Sequence, residues 1–129
     1  MSDLPVIMVV EDEYELQGII EAALVEGGFE TETVSSGEEA LTLFRGKRKN
    51  YRALVTDVGL KGRLTGWEVA AQCREADPGF PIIYMSGAHA GEWASKGVPN
   101  SIMLAKPFAP AQLVTGISQL LNSIPPAAT

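Results

Sequence analysis

Four short apolar runs in this 129-residue sequence end in residues of the kinds that phosphate chemistry uses. One ends in Glu11-Asp12, one in Thr56-Asp57, one in Ser86-Gly87 and one in Ala105-Lys106-Pro107. If those ends converge, three carboxylates, a hydroxyl and an ammonium share one place. Two unit charges about 4 Å apart interact by roughly 4 kcal/mol at an effective dielectric near 20, so clustered carboxylates repel strongly. A hard, oxygen-seeking cation such as Mg²⁺ or Mn²⁺ relieves that repulsion and leaves positions open for phosphate oxygens. Lys106 adds a positive charge beside Asp57, while Ser86 and backbone amides can hold phosphoryl oxygens. Phosphoryl transfer asks for little more, because its catalysis is mostly positioning and charge neutralisation. Singly these pieces say less. An acidic pair after a strand serves equally as a helix amino-terminal cap, a Ser-Gly pair as a turn, and a Lys-Pro pair as structure.

Strands must deliver those ends. The runs at residues 6–10, 53–55, 82–85 and 102–104 are too short for helices, and their continuous apolar character predicts strands buried on both faces. Residues 30–34 (ETETV) alternate polar with apolar, as an edge strand does. Between the runs lie helical patterns. Leu16, Ile19, Ile20, Ala23 and Leu24 recur at helical spacing before Gly27-Gly28. Ser36 with Glu39, and Thr65 with Glu68, read as capping boxes opening two further helices, the second closed by Asp77-Pro78-Gly79. A fourth helix around 90–95 is short and poorly patterned. The last opens at Pro110 and carries Leu113, Ile117, Leu120, Leu121 and Ile124 on one stripe. The order βαβαβαβαβα implies an open parallel sheet covered by helices on both faces. Such folds bind ligands outside the carboxyl ends of their strands, where the acids, hydroxyl and ammonium stand.

Composition narrows the function. At 46% hydrophobic residues the chain can build a core, and its length fits one domain. A net charge of −6 argues against binding to a nucleic-acid backbone. The one basic cluster, Arg45, Lys47, Arg48, Lys49 and Arg52, reads as a solvated helix end. The single cysteine, Cys73, excludes an internal disulfide and falls among apolar helical positions, as a buried thiol does. The amino terminus lacks a signal-peptide pattern, and no apolar stretch approaches the roughly 18 residues of a membrane span. The expectation is a soluble, cytoplasmic domain over residues 1–124 with a short tail at 125–129.

Over about residues 5–122 the sequence resembles the receiver domains of two-component response regulators, through VVED, LVTD with Asp57, YMSG with Ser86, and AKPF with Lys106. The resemblance implies a flavodoxin-like five-stranded sheet of order 2-1-3-4-5. It implies that Asp57 is the phosphoacceptor, taking a phosphoryl group from a sensor histidine kinase or a histidine phosphotransfer protein. Mg²⁺ (or Mn²⁺) would be held by Asp12, Asp57 and the Gly59 carbonyl, with Glu11 acting through a coordinated water. Ser86, with the amides of Val58 and Gly87, would hold phosphoryl oxygens, Lys106 would pair with the phosphoryl group, and Lys106–Pro107 would be a cis peptide. In this role the chain is not an enzyme beyond its own phosphorylation and dephosphorylation. The sequence departs from the family in three places. The acidic pair is Glu-Asp where Asp-Asp is commoner, the loop VGLKGRLTGW lacks the usual proline, and Met103 occupies the switch position usually held by Tyr or Phe.

The leading reading is a signalling module working through a downstream protein partner, or a phosphate sink, with a homodimer also open to it. No output domain is expected after residue 122, hence no direct DNA binding and no membrane association. The main rival is a phosphorylation-independent interaction module with the same fold. A phosphohydrolase with an aspartate nucleophile would want a second acid where Gly59 stands, and a flavodoxin-like carrier would want hydroxyls where EDEYEL stands. His89 reads as an exposed turn residue, with no second histidine or cysteine to complete a metal site. Trp67 and Trp93 are expected to be partly buried.

Overall fold

The computed structural model describes residues 4–47 and 49–123. Arg48, Ile124 and the tail expected at 125–129 lie outside the described residues. The strands are β1 (Val6–Val10), β2 (Glu30–Val34), β3 (Tyr51–Asp57), β4 (Ile82–Ser86) and β5 (Ile102–Ala105). All pair in parallel, in the order β2-β1-β3-β4-β5. The helices are α1 (Tyr14–Glu26), α2 (Gly37–Gly46), α3 (Gly66–Ala76), α4 (Trp93–Lys96) and α5 (Pro110–Asn122).

Successive strand residues face opposite sides, which splits the core in two. Met8 and Val10 of β1, Leu54 of β3 and Tyr84 of β4 pack with Ala40, Leu41, Val69 and Cys73 from α2 and α3. Their neighbours Ile7, Val9, Val55 and Met85 pack with Ile20, Leu24, Leu113 and Ile117 from α1 and α5. Burial pushes the Cys73 thiol up to about 12, so it stays protonated and unreactive as a packing group.

Helix starts follow the predicted chemistry. Thr65 Oγ1 accepts the Glu68 N–H at 3.2 Å while the Glu68 carboxylate accepts the Thr65 N–H at 2.9 Å, a complete capping box. At α2 half of the box forms: Ser36 Oγ accepts the Glu39 N–H, but the Glu39 carboxylate turns to the Ser36 hydroxyl. The weakly patterned fourth helix is a 3₁₀ turn over Ala90–Glu92 followed by the four residues of α4. Trp93 secures it, with the indole N–H donating to Ser101 Oγ at 2.9 Å.

Trp67 departs from the expectation of partial burial. It is only 9% exposed, and its ring lies 4.7 Å from that of Tyr84. Trp93 remains partly exposed. The basic cluster is paired in part: Lys49 bridges to Glu32 at 2.9 Å, and Arg45 donates to Gln72.

Candidate functional site

The register aligns the carboxyl ends of β1, β3, β4 and β5. Val10 stands opposite Thr56, Asp57 opposite Met85, and Ser86 opposite Ala105. Residues one step beyond or at these ends therefore meet at one edge. One carboxylate oxygen from each of Glu11, Asp12 and Asp57 lies within 4.8 Å of the other two. Lys106 Nζ reaches into this group, 3.2 Å from Glu11 Oε1 and 3.4 Å from Asp57 Oδ2. The Asp57 side chain keeps 12% of its surface exposed, so its carboxylate can be approached from solvent.

Backbone contacts fix these groups in place. The Glu11 N–H donates to Val34 O, extending the β1–β2 ladder to the acidic pair. Thr56 Oγ1, fully buried, donates to the Asp57 carbonyl at 2.9 Å. Ser86 is buried, and its hydroxyl accepts the His89 N–H at 2.8 Å. The Lys106 N–H donates to Ser86 O at 2.9 Å, which sets the roots of the hydroxyl and the ammonium side by side. The Lys106–Pro107 peptide is cis.

Other candidates fall around this centre. The Val58 N–H is spent on the strand ladder, donating to Met85 O at 3.0 Å, so its expected contact with a phosphoryl oxygen is not poised here. Gly59 lies beside His89, whose ring is the nearest group to the site of its missing side chain, at 3.9 Å. The His89 ring is half exposed and pairs with Glu92. Met103 is half-buried opposite Tyr84, packed against the α2–α3 side of the core rather than within the acidic cluster. Sequence reasoning missed Gly66. A Cβ there would stand 2.1 Å from the Asp57 carbonyl oxygen and 2.8 Å from the Val58 Cα.

The electrostatics follow from the burial. Desolvation raises the Glu11 pKa above its ordinary 4.5; the nearby Asp57 charge adds to the rise, while the Glu13 amide and Lys106 oppose it. Burial alone would lower the Lys106 pKa, but Asp57 and Glu11 together carry it above 10.5. The ammonium therefore stays charged at neutral pH. For Glu11 the folded state binds the proton more tightly than the unfolded chain. Its contribution to stability is then present below the ordinary glutamate value and lost as pH rises through the folded value. In chelator, Glu11→Gln should accordingly gain stability relative to the wild-type protein as pH rises above the ordinary glutamate value of 4.5, as read from urea midpoints. A difference that does not change with pH would show that Glu11 carries no such linkage.

The donor set suits a hard divalent cation: three carboxylates from two strand ends, with a single ammonium offsetting them in part. Among the described residues, no helix is long and apolar enough to cross a membrane. A family model described as the response regulator receiver domain matches residues 7–118. The crystal structure of a response regulator receiver protein from Sinorhizobium medicae WSM419 superposes with a TM-score of 0.90 at 43% identity, covering 94% of this chain and 97% of that one. The receiver domain of the sensor histidine kinase PA1611 from Pseudomonas aeruginosa PAO1, solved with magnesium coordinated in its active-site cleft, superposes at 0.80. It is 26% identical, covering 93% of this chain and 99% of that one. Among curated proteins, the Porphyra purpurea "Probable transcriptional regulator ycf27" is 32% identical over 118 residues, covering 90% of this chain and 47% of its own length. The chain thus spans about half the length of the curated relatives it matches.

Proposed function

The chain belongs to the response regulator receiver domain family, and from that membership we propose that Asp57 accepts a phosphoryl group from a histidine kinase or a histidine phosphotransfer protein. The observation that carries this reading is Lys106 Nζ at 3.4 Å from the Asp57 carboxylate, inside a cluster completed by Glu11 and Asp12. An Asp57 oxygen forms a bond to phosphorus as the bond from phosphorus to the donor imidazole nitrogen breaks. Lys106 neutralises charge on the transferring group. Ser86, whose oxygen already accepts the His89 N–H, turns its hydroxyl hydrogen to a phosphoryl oxygen. The chain catalyses only this transfer and the later hydrolysis of its own acyl phosphate, in which water bonds to phosphorus, the bond to the Asp57 oxygen breaks and inorganic phosphate leaves.

Asp12, Asp57 and the Gly59 carbonyl are the groups that would hold Mg²⁺, with Glu11 acting through a coordinated water; magnesium in the active-site cleft of the Pseudomonas aeruginosa receiver domain supports the use of that cation. When bound, the cation offsets the negative charge of acceptor and phosphoryl group together. Phosphorylation replaces a charge of about −1 by about −2 at Asp57, which draws Ser86 and Lys106 toward it. The signal then leaves through the surface of β4, β5 and their helices to a protein partner, or the chain drains phosphoryl groups from a shared donor. Met103 stands on that surface at the switch position, where it packs against the α2–α3 side of the core.

The test is incubation with a small acyl phosphate and Mg²⁺, followed by intact-mass measurement and peptide mapping. One base-labile, acid-stable phosphoryl group on the Asp57 peptide is expected; no incorporation would overturn the reading. Lys106→Ala should slow that incorporation by about 10²-fold, the scale of a lost charge clamp. It should also tighten Mg²⁺ binding, because three carboxylates are then left with no cation among them. Weaker Mg²⁺ binding in that variant would contradict the division of roles.

A further inference from the structure

We propose that Tyr84 sets the route by which phosphorylation is read out: it bars residue 103 from turning inward and anchors Val98, so that residues 87–97 swing about Val98 instead. This rests on the phosphoacceptor reading above. Tyr84 is fully buried and stands opposite Met103 in the β4–β5 register. Partners in register project from the same face of a sheet, so the two side chains compete for one space. The Tyr84 ring fills it, with the Trp67 ring 4.7 Å away, and Met103 is left half-buried at the margin of the same cluster. A close-packed interior offers no second place for a side chain turning in from β5.

The Tyr84 hydroxyl holds the far end of the segment. It accepts the Val98 N–H at 3.0 Å, just before the chain enters β5. The chain around Val98 is tied several times over. Ser101 Oγ donates to Val98 O at 2.6 Å, and Arg74 donates to the Pro99 and Asn100 carbonyls. Among the described residues, two hydrogen bonds join residues 87–97 to the rest of the fold. One runs from the Trp93 indole N–H to Ser101, within the anchored end. The other runs from the His89 N–H to Ser86 Oγ, at the site itself. When Ser86 is drawn to a phosphoryl oxygen, the near tie breaks while the far one holds. The segment, which contains Gly87, Gly91 and Gly97, then pivots with its partly exposed Trp93, and Met103 stays in place.

The experiment is amide exchange by NMR on the full chain, comparing the wild type with Tyr84→Phe and Met103→Ala in Mg²⁺, before and after addition of excess acyl phosphate. Without the phosphoryl donor, the Val98 amide should exchange about tenfold faster in Tyr84→Phe, the scale of one hydrogen bond lost. The Val9 and Val55 amides should keep their protection, which shows that the variant is folded. With the donor, the wild-type His89 amide should exchange about tenfold faster while that of Val98 does not change. In Tyr84→Phe the Val98 amide should respond to the donor as well, because its anchor is gone. In Met103→Ala the response at His89 should match that of the wild type. Unchanged Val98 exchange in Tyr84→Phe overturns the proposal. So does a phosphorylated wild type in which His89 stays protected or Val98 is released with it, or a phosphorylated Met103→Ala without the His89 response. Intact mass on the same samples records incorporation. A wild type that takes up no phosphoryl group therefore overturns the phosphoacceptor reading and this proposal with it, whereas a labelled one that lacks the His89 response overturns this proposal alone.

Discussion

Asp57→Asn should abolish phosphoryl incorporation altogether, because the amide keeps the shape of the side chain but offers no anionic nucleophile to phosphorus. Two further effects come from the same geometry. Removing one of three carboxylates that lie within 4.8 Å of one another should weaken Mg²⁺ binding by at least about tenfold. In chelator the change should be the reverse. Asp57 raises the Glu11 pKa by like-charge repulsion, so its neutralisation relieves a buried charge. The loss of the 3.4 Å pair with Lys106 offsets part of that gain, since the ammonium retains Glu11 at 3.2 Å. A net stabilisation of about 1 kcal/mol, or a Tm rise of roughly 3–5 °C without metal, is expected. Labelling that persists in the variant would place the acceptor elsewhere. A variant that is less stable in chelator would mean that the Asp57–Lys106 attraction outweighs the crowding of carboxylates.

How far the sequence could be read depends on what each signal reports. The strands at Val6–Val10 and Glu30–Val34 were legible to the residue, because one is continuously apolar and the other alternates as an edge strand does. The third, read as residues 53–55, runs over Tyr51–Asp57. Hydrophobicity marks apolar burial, whereas the ladder continues through Thr56 and Asp57, which are polar yet buried. The convergence of Glu11, Asp12, Asp57 and Lys106 was legible because alternating strands and helices leave one edge on which to place strand ends. The pairing of Lys106 with Glu11 was not, since it joins residues 95 positions apart. Nor was the burial of Trp67, which depends on the Tyr84 ring on another element. The Val58 amide, which the resemblance offers to a phosphoryl oxygen, donates to Met85 O in this structure.

Gly66 exposes the same limit at the site itself and carries a large expected effect. Its neighbour Thr65 was recognisable as a cap, but nothing local marks Gly66, whose φ lies outside the left-handed region and so does not require glycine. What requires glycine is space. The first turn of α3 crosses the end of β3 so closely that the Gly66 N–H donates to Val58 O at 2.9 Å. A Cβ would sit 2.1 Å from the Asp57 carbonyl oxygen and 2.9 Å from its carbon. Those are backbone atoms of the strand bearing the acceptor, so no rotamer change can make room. Gly66→Ala should therefore cost about 3 kcal/mol, lowering Tm by roughly 10 °C, with the strand end pushed away from α3. In the fraction that folds, a displaced Asp57 should be phosphorylated by an acyl phosphate about 10²-fold more slowly. The control is Gly46→Ala, where a Cβ meets nothing within 4 Å and the helix gains propensity. That variant should be neutral or stabilised by up to about 1 kcal/mol. If Gly66→Ala matches Gly46→Ala in both melting and labelling, close contact between α3 and the acceptor strand does not hold Asp57 in place.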